Sequence, residues 1–338
     1  MTIKINGKKQ RIGLALSGGG FRAAAFHLGT FRKLDELKLL DKIDLFSCVS
    51  GGSIAGAYLC ANWGKSNVLD KLEDYLSNTS IAISSVLGGI FSPFSSRLDK
   101  LAETYDRDLF SGAKLNTLKD GPRIYLNATN LATGNMFFFV AGGGASKDIV
   151  LGEHELGQKN AKNFLISRAV AASSAFPPVF PPLTLDRKTY PNDKTDYVSL
   201  SDGGVYDNLG INPLMRVKRN NLQYAIVSDG GKPFAIDTTP TESGSIVLKE
   251  AIGILMEQVR GLQFERLRLA NAAGQGPKPL WYSIDADEDG KLAEDAEFAS
   301  SIGTNLKALS QTELKVLSRH AGALCQARIE KYAPELIS

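Results

Sequence analysis

Two short apolar runs, each ending in small residues and followed by a helical pattern, constrain the fold of this chain more than any other feature. The first run, Arg11–Ser17, leads into Gly18-Gly19-Gly20 and a helical pattern over Phe21–Leu40. The second run, Asp44–Val49, is followed by a helical pattern over Gly51–Trp63. Strands that alternate with helices are typical of a mostly parallel sheet with helices on both faces. We therefore predict a three-layer α/β/α sandwich.

The rest of the chain continues the alternation. The further predicted elements are a helix over Val68–Asn78, paired strands over Ile124–Thr129 and Met136–Val140, a helix over Asn163–Ser174, and strands over Tyr197–Leu200 and Tyr224–Ser228. From Ser243 onward the pattern is largely helical, with one strand near Leu280–Ile284. Because no low-complexity linker divides the 338 residues, we expect a single domain over 1–338. We expect its core over 11–235, with a mainly helical extension over 236–338 packed on it.

Charge and cysteine content exclude several classes of protein. A net charge of +3 is too small to indicate nucleic-acid binding, although it suits approach to an anionic membrane surface. The three cysteines, Cys48, Cys60 and Cys325, have no CxxC spacing, so neither a disulfide framework nor a zinc site is expected. No segment reaches the roughly 18 consecutive apolar residues of a spanning helix. We expect a cytoplasmic protein that associates peripherally with membranes.

The glycines Gly18-Gly19-Gly20 lie between the first strand and the first helix. Glycine lets backbone N–H groups point outward, and at a helix N-terminus these donors favour an anion. That anion is either a phosphate or the oxyanion of an acyl-transfer reaction. A nucleotide-binding protein is the first alternative, because Gly18–Ala23 fits G-x-G-x-x-A. However, the second strand ends at Cys48-Val49-Ser50, without the acidic residue of that fingerprint.

Ser50 stands at the second junction between a strand and a helix. The sequence Cys48-Val49-Ser50-Gly51-Gly52 resembles a G-x-S-x-G nucleophile elbow, with Cys48 at the first glycine position. Small residues allow the sharp turn that places the serine hydroxyl at a helix N-terminus, where the N–H of Gly51 can reach an oxyanion. The other interpretation is a serine that only caps the helix.

A serine hydroxyl becomes a useful nucleophile when a base accepts its proton. The three histidines, His27, His154 and His320, do not stand at strand ends followed by glycine, where catalytic groups of α/β sheets emerge. Asp202 does stand at such an end, within the sequence Ser-Asp-Gly-Gly, and a carboxylate can act as the base directly. Asp229 has the same local sequence, so the pattern alone does not choose between the two aspartates.

Taken in order, these blocks resemble the patatin-like phospholipase family over about residues 11–230. The matching blocks are Gly18–Arg22, Val49–Ser53, Asn127–Gly134, Ala171–Pro177 with the prolines that follow, and Ser201–Asn208. The resemblance implies a fold related to the α/β hydrolases and a catalytic dyad of Ser50 and Asp202, since the family's aspartate follows the proline segment. It also implies an oxyanion hole formed by Gly18, Gly19, Gly20 and Gly51, with Arg22 supporting the loop or the charge.

The resemblance further implies a carboxylic ester hydrolase that uses no cofactor and no metal. Such an enzyme cleaves fatty acyl esters of phospholipids or lysophospholipids through an acyl-enzyme intermediate. Some bacterial relatives are regulated effectors that degrade membranes, so a homo-oligomer and a small-molecule activator are compatible partners. A catalytically inactive lipid-binding module is the remaining alternative.

Three other segments carry interpretations of their own. Ile81–Phe94 is apolar and interrupted by glycine, which fits either a lid that contacts membranes or a buried loop. Asp285–Gly290 begins like an EF-hand loop, but Ala296 occupies the twelfth position, so an acidic surface turn is favoured. The C-terminal helices, including Ile246–Leu269, either pack on the core, dimerise or receive a regulator.

Overall fold

The computed structural model describes residues 3–5, 7–81, 97–231, 233–234 and 243–337. The strands are β1 (Ile3–Ile5), β2 (Lys8–Gln10), β3 (Ile12–Leu16), β4 (Ile43–Val49), β5 (Arg123–Asn130), β6 (Asn135–Ala141), β7 (Val150–Glu153), β8 (Gly157–Asn160), β9 (Leu183–Asp186), β10 (Tyr197–Asp202), β11 (Tyr224–Asp229) and β12 (Lys278–Ser283). The α-helices are α1 (Gly20–Glu36), α2 (Gly51–Ala61), α3 (Val68–Asn78), α4 (Arg97–Tyr105), α5 (Ile166–Ser173), α6 (Gly204–Asp207), α7 (Val217–Asn220), α8 (Gly244–Ala272), α9 (Ala293–Ser301) and α10 (Gln311–Tyr332). Short helical turns of other types occupy Leu40–Lys42, Asp106–Phe110, Leu115–Asp120 and Pro334–Leu336.

Most of the strands form one mixed sheet, and β1 and β2 form a separate hairpin. The order along the sheet is β12-β11-β3-β4-β5-β6-β7-β8. The strands from β12 to β5 run parallel, whereas those from β5 to β8 pair antiparallel. All residues of β3 and β11 are buried, as expected for parallel strands covered on both faces.

A hydrophobic core covers each face of the sheet, because successive strand residues point to opposite faces. On one face, Leu14 and Phe46 join the cluster that contains residues of α1, α2, α3 and α10. On the other face, Ala15 and Leu45 join a second cluster that includes Leu267 of α8. The predicted α/β/α layering with a helical C-terminal part is thus confirmed.

Strand β5 pairs with two strands, β4 and β10, along one of its edges. β6 pairs along its other edge from Ile124 to Asn130. The first part of β5 pairs parallel with β4, ending where Val49 lies opposite Asn127. The last part pairs antiparallel with β10, whose Asp202 lies opposite Ala128. β4 and β10 therefore meet end to end beside β5, and the residues at their ends become neighbours.

The predicted elements agree with the structure best where amphipathic patterns are strong. The helix over Val68–Asn78 has the predicted bounds, whereas the helix predicted over Phe21–Leu40 ends at Glu36. The hairpin of β7 and β8 was not predicted, because β8 is a polar edge strand without apolar alternation. Of the segment Ile81–Phe94, residues 82–94 lie outside the described residues, so the lid prediction stays a prediction.

Candidate active site

Ser50 occupies a sharp turn between β4 and α2. Its φ of 50° and ψ of −115° are strained for a residue with a Cβ, and such strain is typical of functional sites. The turn needs glycine after the serine, because a Cβ on Gly51 would clash with the carbonyl oxygen of Gly20 and one on Gly52 with that of Leu16. Cys48 is fully buried within β4, where a serine elbow usually has glycine.

A polar network beneath the turn fixes Ser50. The Ser173 hydroxyl accepts the Ser50 N–H at 3.0 Å and donates to the Asn127 carbonyl at 2.6 Å. The Ser53 hydroxyl lies 2.8 Å from the hydroxyl oxygen of Ser173. The backbone carbonyl of Ser173 accepts the N–H of Gly203 at 3.3 Å, next to Asp202. One buried serine at the end of α5 thus ties the turn of Ser50 to the strand end that carries Asp202.

Asp202 ends β10 and is 2% exposed. Burial raises the pKa of this carboxyl to about 7, against the opposing effects of the Gly204 N–H and the nearby Ser50 side chain. The Gly204 N–H donates to Oδ1 at 2.7 Å, and the Thr129 hydroxyl donates to the Asp202 carbonyl at 2.8 Å. A carboxyl with this pKa can both accept and return a proton near neutral pH.

The glycine loop before α1 lies beside Ser50. The Gly18 N–H donates to the Asn208 carbonyl at 3.1 Å, so it is already occupied. The N–H groups of Gly19, Gly20 and Gly51 have no acceptor among the residues that the structure describes. Gly19, with φ of 147°, and Gly20, with φ of 62°, adopt conformations that favour glycine. Of the four predicted N–H donors, these three are thus without an acceptor in the described residues, and the oxyanion hole stays a prediction.

Arg22 supports the loop from beneath and is 1% exposed. Its Nε and Nη2 donate to the Gly230 carbonyl at 3.2 and 3.0 Å, and its Nη1 donates to the Ile302 carbonyl at 2.9 Å and the Thr304 hydroxyl at 2.7 Å. Burial lowers the pKa of this guanidinium to about 10, while Asp229 opposes the shift. Every nitrogen of the guanidinium is engaged with the protein, so Arg22 acts on the position of the loop.

Asp229, the other candidate base, is held by an ion pair. Its fully buried carboxylate lies 2.6 Å from the guanidinium of Arg260 on α8 and accepts the Gly231 N–H at 3.0 Å. Both oxygens of the Asp229 carboxylate are therefore engaged, one by Arg260 and the other by the Gly231 N–H.

The three histidines have other environments. His27 is buried with its ring nitrogens 2.9 Å from the Ser17 carbonyl and the Ser228 hydroxyl, and burial lowers its pKa to about 4. His320 contacts the Ile284 carbonyl at 2.9 Å, and His154 is exposed. Within the described part of the chain, none of the three has a hydrogen bond to Ser50 or Asp202.

A cavity of about 560 Å³ opens over Ser50 and Asp202, a volume typical of small-molecule sites. Its apolar wall consists of Phe176, Val179, Phe180, Phe234, Met256 and Leu306. The glycine loop, Asn208, Glu250 and Glu257 are among the polar residues of the lining. A lining with both polar groups and hydrocarbon suits an ester with a long apolar chain.

Among the described residues, no three His, Cys, Asp or Glu side chains cluster so as to hold a metal ion. In that same part of the chain, the helices are too short or too polar to cross a membrane.

The sequence patterns do not identify some residues of the site. Ser173 lies in a segment that the family resemblance includes, but its hydrogen bonds to the elbow depend on tertiary packing. Gly253, Met256 and Glu257 of α8 also line the cavity. The sequence around them has no motif that indicates a site, because only the packing of α8 brings these residues to the cavity.

Fold and site together define an α/β protein in which a serine and a carboxylate meet at the ends of two strands, beside a glycine loop. The chain belongs to the patatin-like phospholipase family, whose model matches residues 14–215. Among curated proteins, no sequence matches the chain at a significant level.

Solved structures with the same fold include human GIVD cytosolic phospholipase A2. One structure of that enzyme has a TM-score of 0.61 at 13% identity, covering 97% of this chain and 60% of the human chain. A second, in complex with methyl γ-linolenyl fluorophosphonate and terbium chloride, has a TM-score of 0.60 at 12% identity, with coverages of 97% and 59%. This chain therefore spans about 60% of the human protein's length, and the likeness concerns the fold.

Proposed function

We propose that this protein is a serine lipid acyl hydrolase that cleaves fatty acyl esters of membrane phospholipids or lysophospholipids. The observation that carries the proposal is the strained Ser50 next to a buried carboxyl whose pKa lies near 7, in a largely apolar cavity. Membership of the patatin-like phospholipase family supports the lipid ester as substrate. The substrate is presented at a membrane surface, to which the protein binds peripherally.

In the first step, the Ser50 Oγ attacks the ester carbonyl while the Asp202 carboxylate accepts the hydroxyl proton. The carbonyl oxygen becomes an oxyanion, which the N–H groups of Gly19, Gly20 and Gly51 stabilise. When the tetrahedral intermediate collapses, the C–O bond to the alcohol breaks. The alcohol leaves with the proton that Asp202 has held, and the fatty acyl group stays on Ser50.

In the second step, water attacks the acyl-enzyme and gives its proton to Asp202. The oxyanion forms again in the same place. Collapse breaks the bond to Ser50 Oγ, which recovers its proton from Asp202, and the fatty acid is released. Because Asp202 is both base and acid within a cycle, a pKa near the working pH suits it.

Labelling with a fluorophosphonate probe tests this proposal. In wild type, Ser50 Oγ forms a bond to phosphorus, fluoride leaves, and Asp202 takes the hydroxyl proton. We expect Ser50→Ala to abolish labelling and Asp202→Asn to slow it by at least about 10²-fold, the size of effect typical of a lost general base. Hydrolysis of a phospholipid by the same variants should fall in parallel.

Asp229→Asn is the matched control, because Asp229 has the same local sequence as Asp202 and receives the same substitution. It leaves Arg260 without its buried partner, so we expect a lower melting temperature but labelling in the folded protein. Labelling that survives Ser50→Ala would exclude Ser50 as the nucleophile. Wild-type protein that binds vesicles without labelling would favour the inactive lipid-binding module.

A further inference from the structure

Four leucines of α8 recur at intervals of seven residues: Leu248, Leu255, Leu262 and Leu269. Their exposed fractions are 52%, 65%, 70% and 56%, which is unusual for a residue type that is normally buried. We call this row the leucine seam. Positions three residues before the second and third leucines hold Ile252 and Val259, both half-buried.

This spacing is the pattern of a two-stranded coiled coil. Such helices repeat an apolar pair every seven residues. Ile252 with Leu255, and Val259 with Leu262, are two such pairs in succession. The leucine seam spans three heptads, about 32 Å at a rise of 1.5 Å per residue.

The other side of α8 is already in use. Gly253, Met256 and Glu257 line the cavity over Ser50, and Leu267 is fully buried against the sheet. Helical geometry puts Leu255 and Leu262 on the side away from these residues. The leucine seam is therefore outside the substrate cavity, while the helix that carries it forms one of the cavity's walls.

We propose that the leucine seam binds the leucine seam of a second copy of this chain, forming a homodimer across α8. Four half-exposed leucines on each helix, with the residues that flank them, bury on the order of 1,000 Å² in total. That area meets the minimum for a specific interface. A two-fold interface needs a self-complementary patch, and leucine opposite leucine meets this need.

A lipid surface fits the leucine seam less well. Over its second half the seam is narrow, because the exposed Gln258, Glu265 and Arg266 flank the leucines. Glu265 forms an ion pair with Arg268 at 2.8 Å, so the positive charge is balanced along this side. Helices that lie in a membrane have a broad apolar face and a basic polar face, whereas a narrow seam is typical of helix pairing.

The two copies of α8 run antiparallel in the proposed dimer. Arg266 continues the row of Ile252 and Val259, so a parallel partner would face Arg266 with its own Arg266. In the antiparallel arrangement, Arg266 lies opposite Leu248 of the partner copy, and Gln258 lies near the two-fold axis. The dimer then holds α8 in place as a wall of the cavity of each copy.

Sedimentation velocity on the full chain tests the interface. We expect wild type to be a dimer, and Leu255→Glu and Leu262→Glu each to raise the dissociation constant at least about tenfold. Leu131→Glu is the control, because this leucine is 54% exposed in the turn between β5 and β6. It should leave the dimer intact. Fluorophosphonate labelling of the same samples reports on Ser50 separately, so failure of the dimer and failure of the catalytic proposal are distinguishable.

Cross-linking tests the orientation. The native Cys48, Cys60 and Cys325 are buried, so an introduced surface thiol is read without interference. Oxidation should link Gln258→Cys to its copy and leave Leu248→Cys unlinked. A monomeric wild type, or a dimer that Leu255→Glu does not weaken, would overturn the interface. A wild type that stays monomeric and loses vesicle binding on Leu255→Glu would assign the seam to membranes, and a linked Leu248→Cys dimer would reverse the orientation.

Discussion

In the proposed mechanism, Asp202 helps catalysis at the expense of the stability of the fold. Its carboxyl is buried beside Ser50, and this burial raises its pKa to about 7. A carboxyl group must be ionised to accept a proton, yet the ionised form is the one that burial disfavours. The site therefore places a reactive carboxylate where the protein itself would be more stable without the charge.

We expect the acylation rate of Ser50 to rise with pH and to level off above about 7. Asp202 holds a proton below its pKa and is then unable to accept another, so the rate falls about tenfold for each pH unit below that value. The measurement is the pseudo-first-order rate of fluorophosphonate labelling between pH 5 and 9, with circular dichroism to verify folding. A rate that is flat over this range would show that another group controls the step.

Asp202→Asn should stabilise the protein at pH 8 and have little effect near pH 4. The carboxyl of the unfolded chain ionises near pH 4, whereas the folded carboxyl keeps its proton up to about 7, so wild type loses stability across this interval. Three pH units correspond to about 4 kcal/mol as an upper limit. Melting temperatures of both proteins at the two pH values measure the effect. Equal melting temperatures at pH 8 would contradict the raised pKa.

At the scale of elements, the contact between α1 and α2 sets the position of the donors. The N-termini of both helices approach so closely that a Cβ on Gly51 would clash with the Gly20 carbonyl. Three N–H groups that have no acceptor in the described part of the chain converge there, because two strand–turn–helix units lie side by side in a parallel sheet. In the proposed mechanism, the contact thus matters for catalysis as well as for packing.

Gly51→Ala should lower kcat by about 10²-fold, the cost typical of a displaced oxyanion donor. The added methyl group pushes α2 away from the glycine loop, and Ser50 moves with it. Gly261→Ala is the control, because its Cβ would meet no atom within 4 Å and alanine favours the helix. Both variants should be compared by kcat on a soluble ester and by melting temperature. Unchanged turnover in Gly51→Ala would show that the contact has room to adjust.

Local sequence was sufficient for some elements and not for others. The strand–turn–helix units around Gly18–Gly20 and Ser50 could be predicted, because glycine, small residues and apolar runs act within a few positions. The choice of Asp202 over Asp229 came from the family resemblance, since their local sequences are equal. The pairing of β10 with the end of β5 could not be predicted, because strand neighbours far apart in sequence depend on the tertiary fold.

At the scale of the whole molecule, the C-terminal region packs against the part that holds the candidate site. β12 extends the sheet beside β11, and α10 packs along α1. The Phe21 N–H donates to the Asn305 carbonyl at 2.9 Å, and Arg22 reaches Ile302 and Thr304. The glycine loop is therefore held partly by residues from the predicted extension. We propose that residues 1–338 fold as one domain.

Removing residues 243–338 should leave a chain that does not fold. The truncation exposes the apolar surface of α1 and one edge of β11, and Arg22 keeps a buried charge with fewer partners. Soluble expression and fluorophosphonate labelling of residues 1–242 are the measurements. A soluble, labelled fragment would mean that the core over 11–235 is independent of the extension.

The shared edge of β5 has a consequence for how such proteins diversify. Val49, which directly precedes the proposed nucleophile Ser50, lies opposite Asn127, and the proposed base Asp202 lies opposite Ala128, one step further along the same strand. The chain from Leu131 to Asp196 builds β6 to β9 and α5; Ser173 at the end of α5 holds the turn of Ser50, whereas the loops that join β6, β7 and β8 lie outside this contact. A lineage can therefore lengthen or shorten its loops there, and so alter the molecule's outline, while the reacting pair keeps its spacing.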